Sequence, residues 1–182
     1  MSDVRNRKIS TLFEHWDADG NGYIEESDWL DIVDRRASVQ RWDSHEHTVQ
    51  REKARVGFLG LLAFADSNRD GRVSQQEFQA FYNQVVPSVE KPSFDKLPAV
   101  VQSSLAKYAD EMDTNKDGLI DAGDYTRWFT EIMRGDPETA KVAFKHLDLN
   151  QDGVLSTDEL KQAIAEFFMS DDANSAGNWL FG

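Results

Sequence analysis

The sequence contains no cysteine, which excludes a disulfide framework and thiol chemistry. Basic residues are in the minority, with 20 Lys and Arg against 33 Asp and Glu, and the formal net charge is −13. A charge of that sign disfavours nucleic acid and anionic membrane surfaces as partners. No apolar run is long enough to span a membrane, and the residues after Met1 have neither the apolar core of a secretory signal nor the glycine that myristoylation needs. We therefore expect an acidic, cytoplasmic protein with no membrane span and no nucleic-acid partner.

Proline is also scarce, but three of the four prolines lie close together, at Pro87, Pro92 and Pro98. Proline lacks a backbone N–H and clashes with the preceding helical turn, so we expect no continuous helix between the two halves of the chain. Pro98 suits the first turn of a new helix. The length of 182 residues, with 40% apolar residues, fits one compact domain or two small lobes.

Four stretches of twelve residues share one pattern of oxygen-bearing side chains. They are loop 1, Asp17–Asp28; loop 2, Asp66–Glu77; loop 3, Asp113–Asp124; and loop 4, Asp148–Glu159. Each has Asp or Asn at positions 1, 3 and 5, Gly at position 6, an apolar residue at position 8, and further oxygens at positions 9 and 12. Calcium takes six to eight oxygen ligands, and glycine tolerates the sharp turn that wraps them around one point. The pattern is that of the EF-hand calcium loop.

The predicted ligands are the side chains at positions 1, 3, 5, 9 and 12 and the backbone carbonyl at position 7. In chain order they are Asp17, Asp19, Asn21, Tyr23, Glu25, Asp28, Asp66, Asn68, Asp70, Arg72, Ser74, Glu77, Asp113, Asn115, Asp117, Leu119, Asp121, Asp124, Asp148, Asn150, Asp152, Val154, Ser156 and Glu159. Ser74 with Glu77, and Ser156 with Glu159, also match helix capping boxes, so ligand and cap roles stay open for these residues.

Apolar residues at helical spacing flank every loop and predict an all-α protein of four helix–loop–helix units. The first entering helix covers roughly Val4–Trp16, and a polar stretch, Arg35–Gln50, follows the first exiting helix. We number each helix–loop–helix unit, or hand, after its loop. Gly135 is expected to end the helix that leaves loop 3, which is the exiting helix of hand 3, and Asp136 is expected to cap the next helix. The helix entering loop 3 is expected to carry Val101, Leu105, Tyr108, Ala109 and Met112.

The last loop position alternates along the chain. Loops 1 and 3 end in Asp28 and Asp124, whereas loops 2 and 4 end in Glu77 and Glu159. The apolar position 8 favours a short strand that pairs loop 1 with loop 2 and loop 3 with loop 4. Asp reaches a cation with both oxygens less easily than Glu does, and a coordination number near six suits Mg²⁺. We therefore expect calcium-selective sites in loops 2 and 4 and mixed Ca²⁺/Mg²⁺ sites in loops 1 and 3.

The chain resembles the four-EF-hand sarcoplasmic calcium-binding proteins, and most closely their prokaryotic, calerythrin-like relatives. The resemblance rests on the segment His15–Gly22, on the long connection between the first two loops, and on the apolar tail Trp179–Phe181. It implies two EF-hand pairs packed into one compact globule, with the C-terminal tail covering an apolar cleft, and a role in calcium buffering or transport. The second loop is often degenerate in those relatives but is intact here, so we expect up to four Ca²⁺ ions.

This organisation predicts residues 1–90 as the N-terminal EF-hand pair, 91–170 as the C-terminal pair and 171–182 as the tail. Carboxylates at the loop positions account for 14 of the 33 acidic residues. Four Ca²⁺ ions would change the formal charge from −13 to −5, so we expect the ion-free protein to be looser.

Three functional classes fit these observations. The first is an intracellular Ca²⁺ and Mg²⁺ buffer or transporter. It is favoured because the tail can fill the groove that a sensor would offer and because the chain has only four Met. We expect such a protein to be a monomer. The second is a sensor that exposes a surface for an unknown protein partner when calcium binds. The third is a calcium-regulated carrier of a luciferin-type molecule, since the resemblance extends to luciferin-binding proteins and photoproteins. A cavity lined by Trp and His would support the carrier.

We expect no enzymatic activity. The sequence has no recognisable nucleophile–base pair and no phosphate-binding glycine loop outside the EF-hands. His45 and His47 flank Glu46 in a polar stretch, which is more typical of a solvated surface than of a transition-metal site.

Overall fold

A computed structural model of the chain describes residues 3–86, 88–99, 102, 109–113, 115 and 117–182. The helices are α1 Asp3–Trp16, α2 Glu26–Gln40, α3 Ser44–Ala65, α4 Gln75–Val85, α5 Ala122–Arg127, α6 Pro137–Leu147 and α7 Thr157–Met169. The strands are β1 Tyr23–Ile24, β2 Val73–Ser74, β3 Ile120–Asp121 and β4 Val154–Leu155. The predicted all-α fold of four EF-hands is confirmed. No helix in the described ranges is long and apolar enough to cross a membrane.

Short antiparallel strands join the loops in pairs. Strand β1 pairs with β2, with Ile24 opposite Val73, and β3 pairs with β4, with Ile120 opposite Leu155. These four position-8 side chains are buried, as expected for β-branched and aliphatic residues between two helices. The predicted pairing of loop 1 with 2 and of loop 3 with 4 is therefore confirmed.

The two EF-hand pairs share one hydrophobic core. The rings of Tyr82 from hand 2 and Phe168 from hand 4 stack with their centroids 5.5 Å apart. Helix α1 lies between the pairs: Lys8 donates from Nζ to the carbonyls of Glu166 and Ser170, at 2.8 and 2.7 Å. Lys8 thereby donates to carbonyls in the last turn of α7, a position where a cation also complements the helix dipole. Burial lowers the pKa of Lys8 to about 8.

Polar contacts also cross between the hands on the outside of the core. The Arg134 guanidinium donates to the Ala18 carbonyl at 2.7 Å and pairs with Asp31 at 3.0 Å. Arg36 pairs with Glu111 at 3.2 Å. These contacts join α2 of hand 1 to both ends of hand 3, so the chain forms one compact globule.

The polar stretch 35–50 is more helical than its composition suggests. Helix α2 continues to Gln40, and α3 begins at Ser44. The break is set locally: Arg41 adopts a left-handed conformation with φ of 54°, and Asp43 caps α3 by accepting from the N–H of Glu46 at 2.8 Å. The first connection is thus a tight helical hairpin with α3 packed along α2.

Gly135 does not end the exiting helix of hand 3, so that prediction is wrong. Helix α5 runs into a π-helical turn, Trp128–Ile132, and the left-handed residue after it is Arg134, with φ of 57°. The wider π turn brings both Trp128 and Phe129 into the core. Gly135 has a different role, because a Cβ there would lie 1.9 Å from the Phe129 ring. Asp136 caps α6 as predicted, accepting from the N–H of Thr139 at 2.8 Å.

The middle of the chain contains no long helix in its described part between α4 and residue 99. A short 3-10 turn, Phe94–Lys96, precedes Pro98, whose carbonyl accepts from the N–H of Gln102 at 2.9 Å. That bond fits the predicted helix start. Of the residues predicted on this helix, Val101, Leu105 and Tyr108 lie outside the described residues, whereas 109–112 are helical and Met112 is buried.

The C-terminal tail folds back onto the second EF-hand pair. After the 3-10 turn Ala176–Trp179, Leu180 and Phe181 are each 1% exposed. The Phe181 ring lies 4.8 Å from that of Phe167, and the Tyr125 hydroxyl donates to the Leu180 carbonyl at 3.0 Å. The turn approaches α7 so closely that a Cβ on Gly177 would lie 2.4 Å from the Ala163 carbonyl.

His15 anchors the same tail to hand 1. Its Nδ1 lies 2.7 Å from the Met133 carbonyl and its Nε2 lies 2.9 Å from the Phe181 carbonyl. Both partners are acceptors, so both bonds exist together only when the ring carries a hydrogen on each nitrogen. The tail is therefore an integral part of the core, as the family resemblance implies.

Candidate metal centres

Loop 1 gathers its carboxylates around one point. Oxygens of Asp17, Asp19 and Asp28 lie within 4.8 Å of one another. Asp17 is oriented by the N–H groups of Asn21 and Gly22, at 3.0 and 2.8 Å. The Asn21 amide donates to Asp19 at 3.0 Å and to Glu25 at 3.2 Å, so positions 1, 3, 5, 9 and 12 all converge.

Loop 3 has a similar arrangement with two differences: its clustered carboxylates are at positions 1, 5 and 12 and not at 1, 3 and 12, and its position-9 side chain has other partners. Oxygens of Asp113, Asp117 and Asp124 lie within 4.8 Å of one another, and the Asn115 amide donates to Asp124 at 3.4 Å. At position 9, however, Asp121 accepts from the N–H groups of Gly123 and Asp124, at 2.7 and 2.9 Å. Asp121 thus caps α5 with its side chain, whereas Glu25, the N-cap residue of α2 at the same position of loop 1, accepts from the Asn21 side chain.

Loops 2 and 4 have matching geometries. The position-1 carboxylates, Asp66 and Asp148, accept from the position-6 N–H groups of Gly71 and Gly153, at 3.0 and 2.9 Å. All the position-6 glycines have φ between 85° and 88°, which a side chain would strain.

The position-12 glutamates of these loops close them at both ends. Glu77 accepts from the N–H of Ser67 at 3.1 Å and from the N–H and hydroxyl of Ser74, at 3.0 and 2.7 Å. Glu159 makes the equivalent contacts with Leu149 at 3.1 Å and with Ser156, at 2.9 and 2.8 Å. Both predicted capping boxes are present.

The shorter Asp28 reaches both ends of its loop as well. It accepts from the N–H of Ala18 at 3.1 Å and from the N–H of Glu25 at 2.8 Å. These are the same loop positions, 2 and 9, that Glu77 contacts in loop 2. Loop 1 thus keeps these closing hydrogen bonds although Asp28 is one methylene shorter than Glu77.

The position-12 carboxylates differ in how readily they ionise. Asp28 is 2% exposed, and this burial, together with the nearby charges of Asp19 and Asp17, raises its pKa. Burial alone would also raise the pKa of Glu77, but hydrogen bonds from Ser74, Ser67 and Asn68 outweigh it and lower the pKa to about 2. Hydrogen bonding lowers the pKa of Glu159 in the same way. A cation bound beside Asp28 would favour its ionised carboxylate.

The position-7 residues lie beside the strands that pair the loops. Tyr23 and Val154 begin β1 and β4, and Arg72 and Leu119 directly precede β2 and β3. Position 7 is predicted to supply only a carbonyl, so the contact of the Arg72 side chain with Asp70, at 3.3 Å, is a finding of the structure. The signal available in the sequence is a basic residue two positions after a predicted ligand.

The histidines lie outside these centres. His47 contacts Asp34 at 2.7 Å on the surface, beside Arg51, while His45 is exposed. His146 stacks on Trp179 with a centroid separation of 4.1 Å. His15 contacts the tail, as described above.

The donor set has a clear chemical preference. Carboxylate, amide, hydroxyl and carbonyl oxygens suit hard cations such as Ca²⁺ and Mg²⁺, and soft or nitrogen ligands are missing from the four loops. The chain therefore fits calcium at these positions.

Comparison with known families agrees with this geometry. The family described as EF hand matches residues 61–82 and 110–129. The Allatotropin-like C-terminal domain family matches residues 126–162, which span α6 and loop 4.

Individual relatives match over almost the whole chain. Calerythrin from Saccharopolyspora erythraea is 29% identical over 167 residues, covering 90% of this chain and 92% of calerythrin. The luciferin-binding protein from Renilla reniformis is 26% identical, covering 97% of this chain and 92% of that protein. The solved sarcoplasmic calcium-binding protein from amphioxus has the same fold, with a TM-score of 0.79 and 20% identity over 100% of this chain and 98% of its own. These matches support a four-EF-hand family for this chain, like that of calerythrin and the sarcoplasmic calcium-binding proteins.

Proposed function

We propose that this protein is a calcium buffer that binds up to four Ca²⁺ ions without opening a partner groove. The observation that carries the proposal is the tail: Leu180 and Phe181 are each 1% exposed and pack against Phe167 and the Tyr125 hydroxyl. A sensor would need this apolar cleft for a target helix. The chain fills it from within.

The methionines support the same proposal. Promiscuous sensor grooves use exposed, flexible Met side chains. Here Met112, Met133 and Met169 are all buried in the core. The high negative charge, by repelling a second copy, supports a monomer, and we keep a cytoplasmic monomer as part of the proposal.

We further propose that each loop binds its ion through the side chains at positions 1, 3, 5, 9 and 12 and the carbonyl at position 7. The close grouping of three carboxylates in loop 1 and in loop 3 supports ion binding there. Asp28 and Asp124 are one methylene shorter than Glu, which supports a coordination number near six and with it the mixed Ca²⁺/Mg²⁺ character of the Asp-ended loops. Glu77 and Glu159 have the length to give both oxygens to calcium, and loops 2 and 4 are therefore the calcium-selective sites.

A sensor is the second candidate, because one face of α3 is apolar and exposed. Val56, Leu59 and Phe64 are 70%, 63% and 76% exposed, with Gly60 between them. Contiguous apolar patches of this kind often mark protein contacts. The patch lies on the outer side of α3, away from the cleft that the tail fills.

The carrier reading has weaker support. The large aromatic residues Tyr125, Trp128 and Phe129 are buried in the core, which is the common use of such side chains. A half-open groove of about 320 Å³ lies between α1 and the tail and includes Lys8, Phe167 and Trp179, but its lining has no histidine. This volume is at the low end for a small-molecule site.

The buffer and the sensor differ in how calcium changes the apolar surface. The full chain is titrated with calcium, and separately with chelator, in the presence of a dye that fluoresces on apolar surfaces. For the buffer, dye fluorescence is unchanged or lower with calcium. A several-fold rise on adding calcium would instead establish the sensor, and F181A supplies a reference for an opened cleft.

A further inference from the structure

Loops 2 and 4 form a natural comparison because their predicted side-chain ligands are identical. Both read Asp, Asn, Asp, Ser and Glu at positions 1, 3, 5, 9 and 12. Both position-12 glutamates accept from the N–H of the position-9 serine, and Glu77 accepts in addition from the Ser67 hydroxyl, where loop 4 has Leu149. A difference in affinity between the two sites would therefore arise outside the side-chain ligands. The clearest difference is at position 7, which is Arg72 in loop 2 and Val154 in loop 4.

Arg72 contacts two residues that belong to different loops. Its Nε lies 3.3 Å from Oδ2 of Asp70, the position-5 residue of its own loop. Its guanidinium carbon lies 3.7 Å from the centroid of the Tyr23 ring, at position 7 of loop 1. The antiparallel register, with Tyr23 opposite Ser74, brings the two position-7 side chains together. The planar guanidinium can stack on an aromatic face and bind a carboxylate at the same time.

The equivalent carboxylate of loop 4 has no such partner at position 7. Oδ2 of Asp152 accepts from the Asn150 amide at 2.9 Å, as Asp70 does from Asn68 at 3.2 Å. The residue at position 7 is the uncharged Val154. Loop 4 thus shows the same site without the guanidinium.

We propose that Arg72 acts as an internal competitor for the cation at loop 2 and makes this site weaker than loop 4. The inference rests on the proposed role of Asp70 as a calcium ligand. An ion that binds Oδ2 of Asp70 has to displace the guanidinium from that oxygen, and an ion that binds Oδ1 is still repelled by the positive charge beside Oδ2. Arg72 and Asp70 are each more than a third exposed, so solvent screens the effect. Exposed ion pairs of this kind correspond to about a fivefold change in affinity.

The stacking of Arg72 on Tyr23 also links loop 2 to loop 1. Tyr23 belongs to loop 1, so the position of the guanidinium depends on both loops of the pair. Loop 2 therefore fills after loop 4 and in connection with loop 1. Two affinity levels for one ligand set widen the range of free calcium over which the protein buffers.

The four position-6 glycines provide a site-resolved readout. Each donates its N–H to the position-1 carboxylate of its own loop, as Gly71 does to Asp66 and Gly153 to Asp148. Their amide signals, in full-length protein labelled with ¹⁵N-glycine, are followed in calcium–chelator buffers that set free Ca²⁺. In the wild type we expect Gly71 to respond at about fivefold higher free calcium than Gly153. In R72V, which installs the residue of loop 4, the Gly71 midpoint falls to that of Gly153, and the Gly153 midpoint stays in place.

Two control variants separate the contact from the charge. R69Q removes a positive charge from the same loop and installs the residue found at position 151 of loop 4. It should move the Gly71 midpoint less than twofold. R72K keeps the charge but not the planar stack on Tyr23, and should give an intermediate midpoint.

The outcomes distinguish this inference from the proposed function. Equal midpoints for Gly71 and Gly153 in the wild type, an R72V midpoint that stays unchanged, or an equal shift in R69Q would each overturn the role of Arg72. If none of the four glycine signals responds to calcium in the wild type, the proposed function itself fails.

Discussion

Replacing Phe181 with Ala tests whether the tail closes the core. The ring is 1% exposed and packs 4.8 Å from Phe167 and 6.0 Å from Trp128, measured between centroids. Buried Phe→Ala changes cost about 3–5 kcal/mol, as lost transfer energy plus the cavity left behind. For F181A we take the lower end of this range, about 3 kcal/mol.

The assay is thermal unfolding of calcium-saturated F181A and wild type, paired with apolar-dye fluorescence. For a domain of this size, 1 kcal/mol corresponds to about 2–4 °C, so we expect the melting temperature to fall by about 6–12 °C. Dye fluorescence should rise, because the uncovered cleft exposes Phe167 and Trp128. The matched control is V142A on α6, where the side chain is exposed and the change should stay within about 0.5 kcal/mol. If F181A melts with the wild type and binds no more dye, the tail does not close the core.

Three further predictions concern the ions and pH. Calcium should raise the melting temperature over that in chelator, since each site filled at 100 times its Kd stabilises by about 2.7 kcal/mol, and two coincident melting curves would contradict this. D28E should increase the preference of loop 1 for Ca²⁺ over Mg²⁺, and E77D should decrease the same preference of loop 2. Both are measured by magnesium competition at the Gly22 and Gly71 amide signals. Unchanged ratios of calcium to magnesium affinity would count against the role of position 12. Burial lowers the pKa of Lys8 from 10.5 to about 8, so the folded chain binds fewer protons between these values and stability should rise with pH across that window by on the order of 2 kcal/mol. K8M should lack this rise in denaturant unfolding, and identical pH profiles of the two proteins would show that Lys8 does not cause it.

Local rules were sufficient for most of the fold. The loop spacing and the flanking apolar stripes predict the four hands, and the apolar position 8 predicts that Ile24 pairs with Val73 and Ile120 with Leu155. Ser74 and Asp136 act as the caps that their sequence contexts indicate. These features depend on a few residues that are neighbours in the sequence, so short sequence patterns are enough to predict them.

Features set by tertiary packing were harder to predict. The exiting helix of hand 3 ends with the π turn Trp128–Ile132, whose side chains pack into the core, and no local sequence signal marks this end. Gly135 lies against the Phe129 ring, which leaves no room for a Cβ. The polar composition of residues 35–50 conceals two helices that pack along each other. The contacts of Asp28 with both ends of loop 1 were likewise not evident from the residue type, since its side chain is shorter than Glu.

The ligand sets, the magnesium preference and the division at residues 90 and 170 stay predictions. Glu25 and Asp121 are both N-cap residues at position 9, yet Glu25 accepts from the Asn21 side chain whereas Asp121 accepts from the N–H groups of Gly123 and Asp124. The spacing of the residues does not reveal this difference. Limited proteolysis in chelator would test the division, with cleavage expected near residue 90 before either pair is cut.

The central claim, four ions bound by four loops in one closed globule, is tested most directly by calorimetric titration of the ion-free full chain with calcium. The account predicts saturation at four Ca²⁺ per chain, with about two of the sites weakened when magnesium is present. Saturation below four ions, or equal magnesium competition at every site, would contradict it.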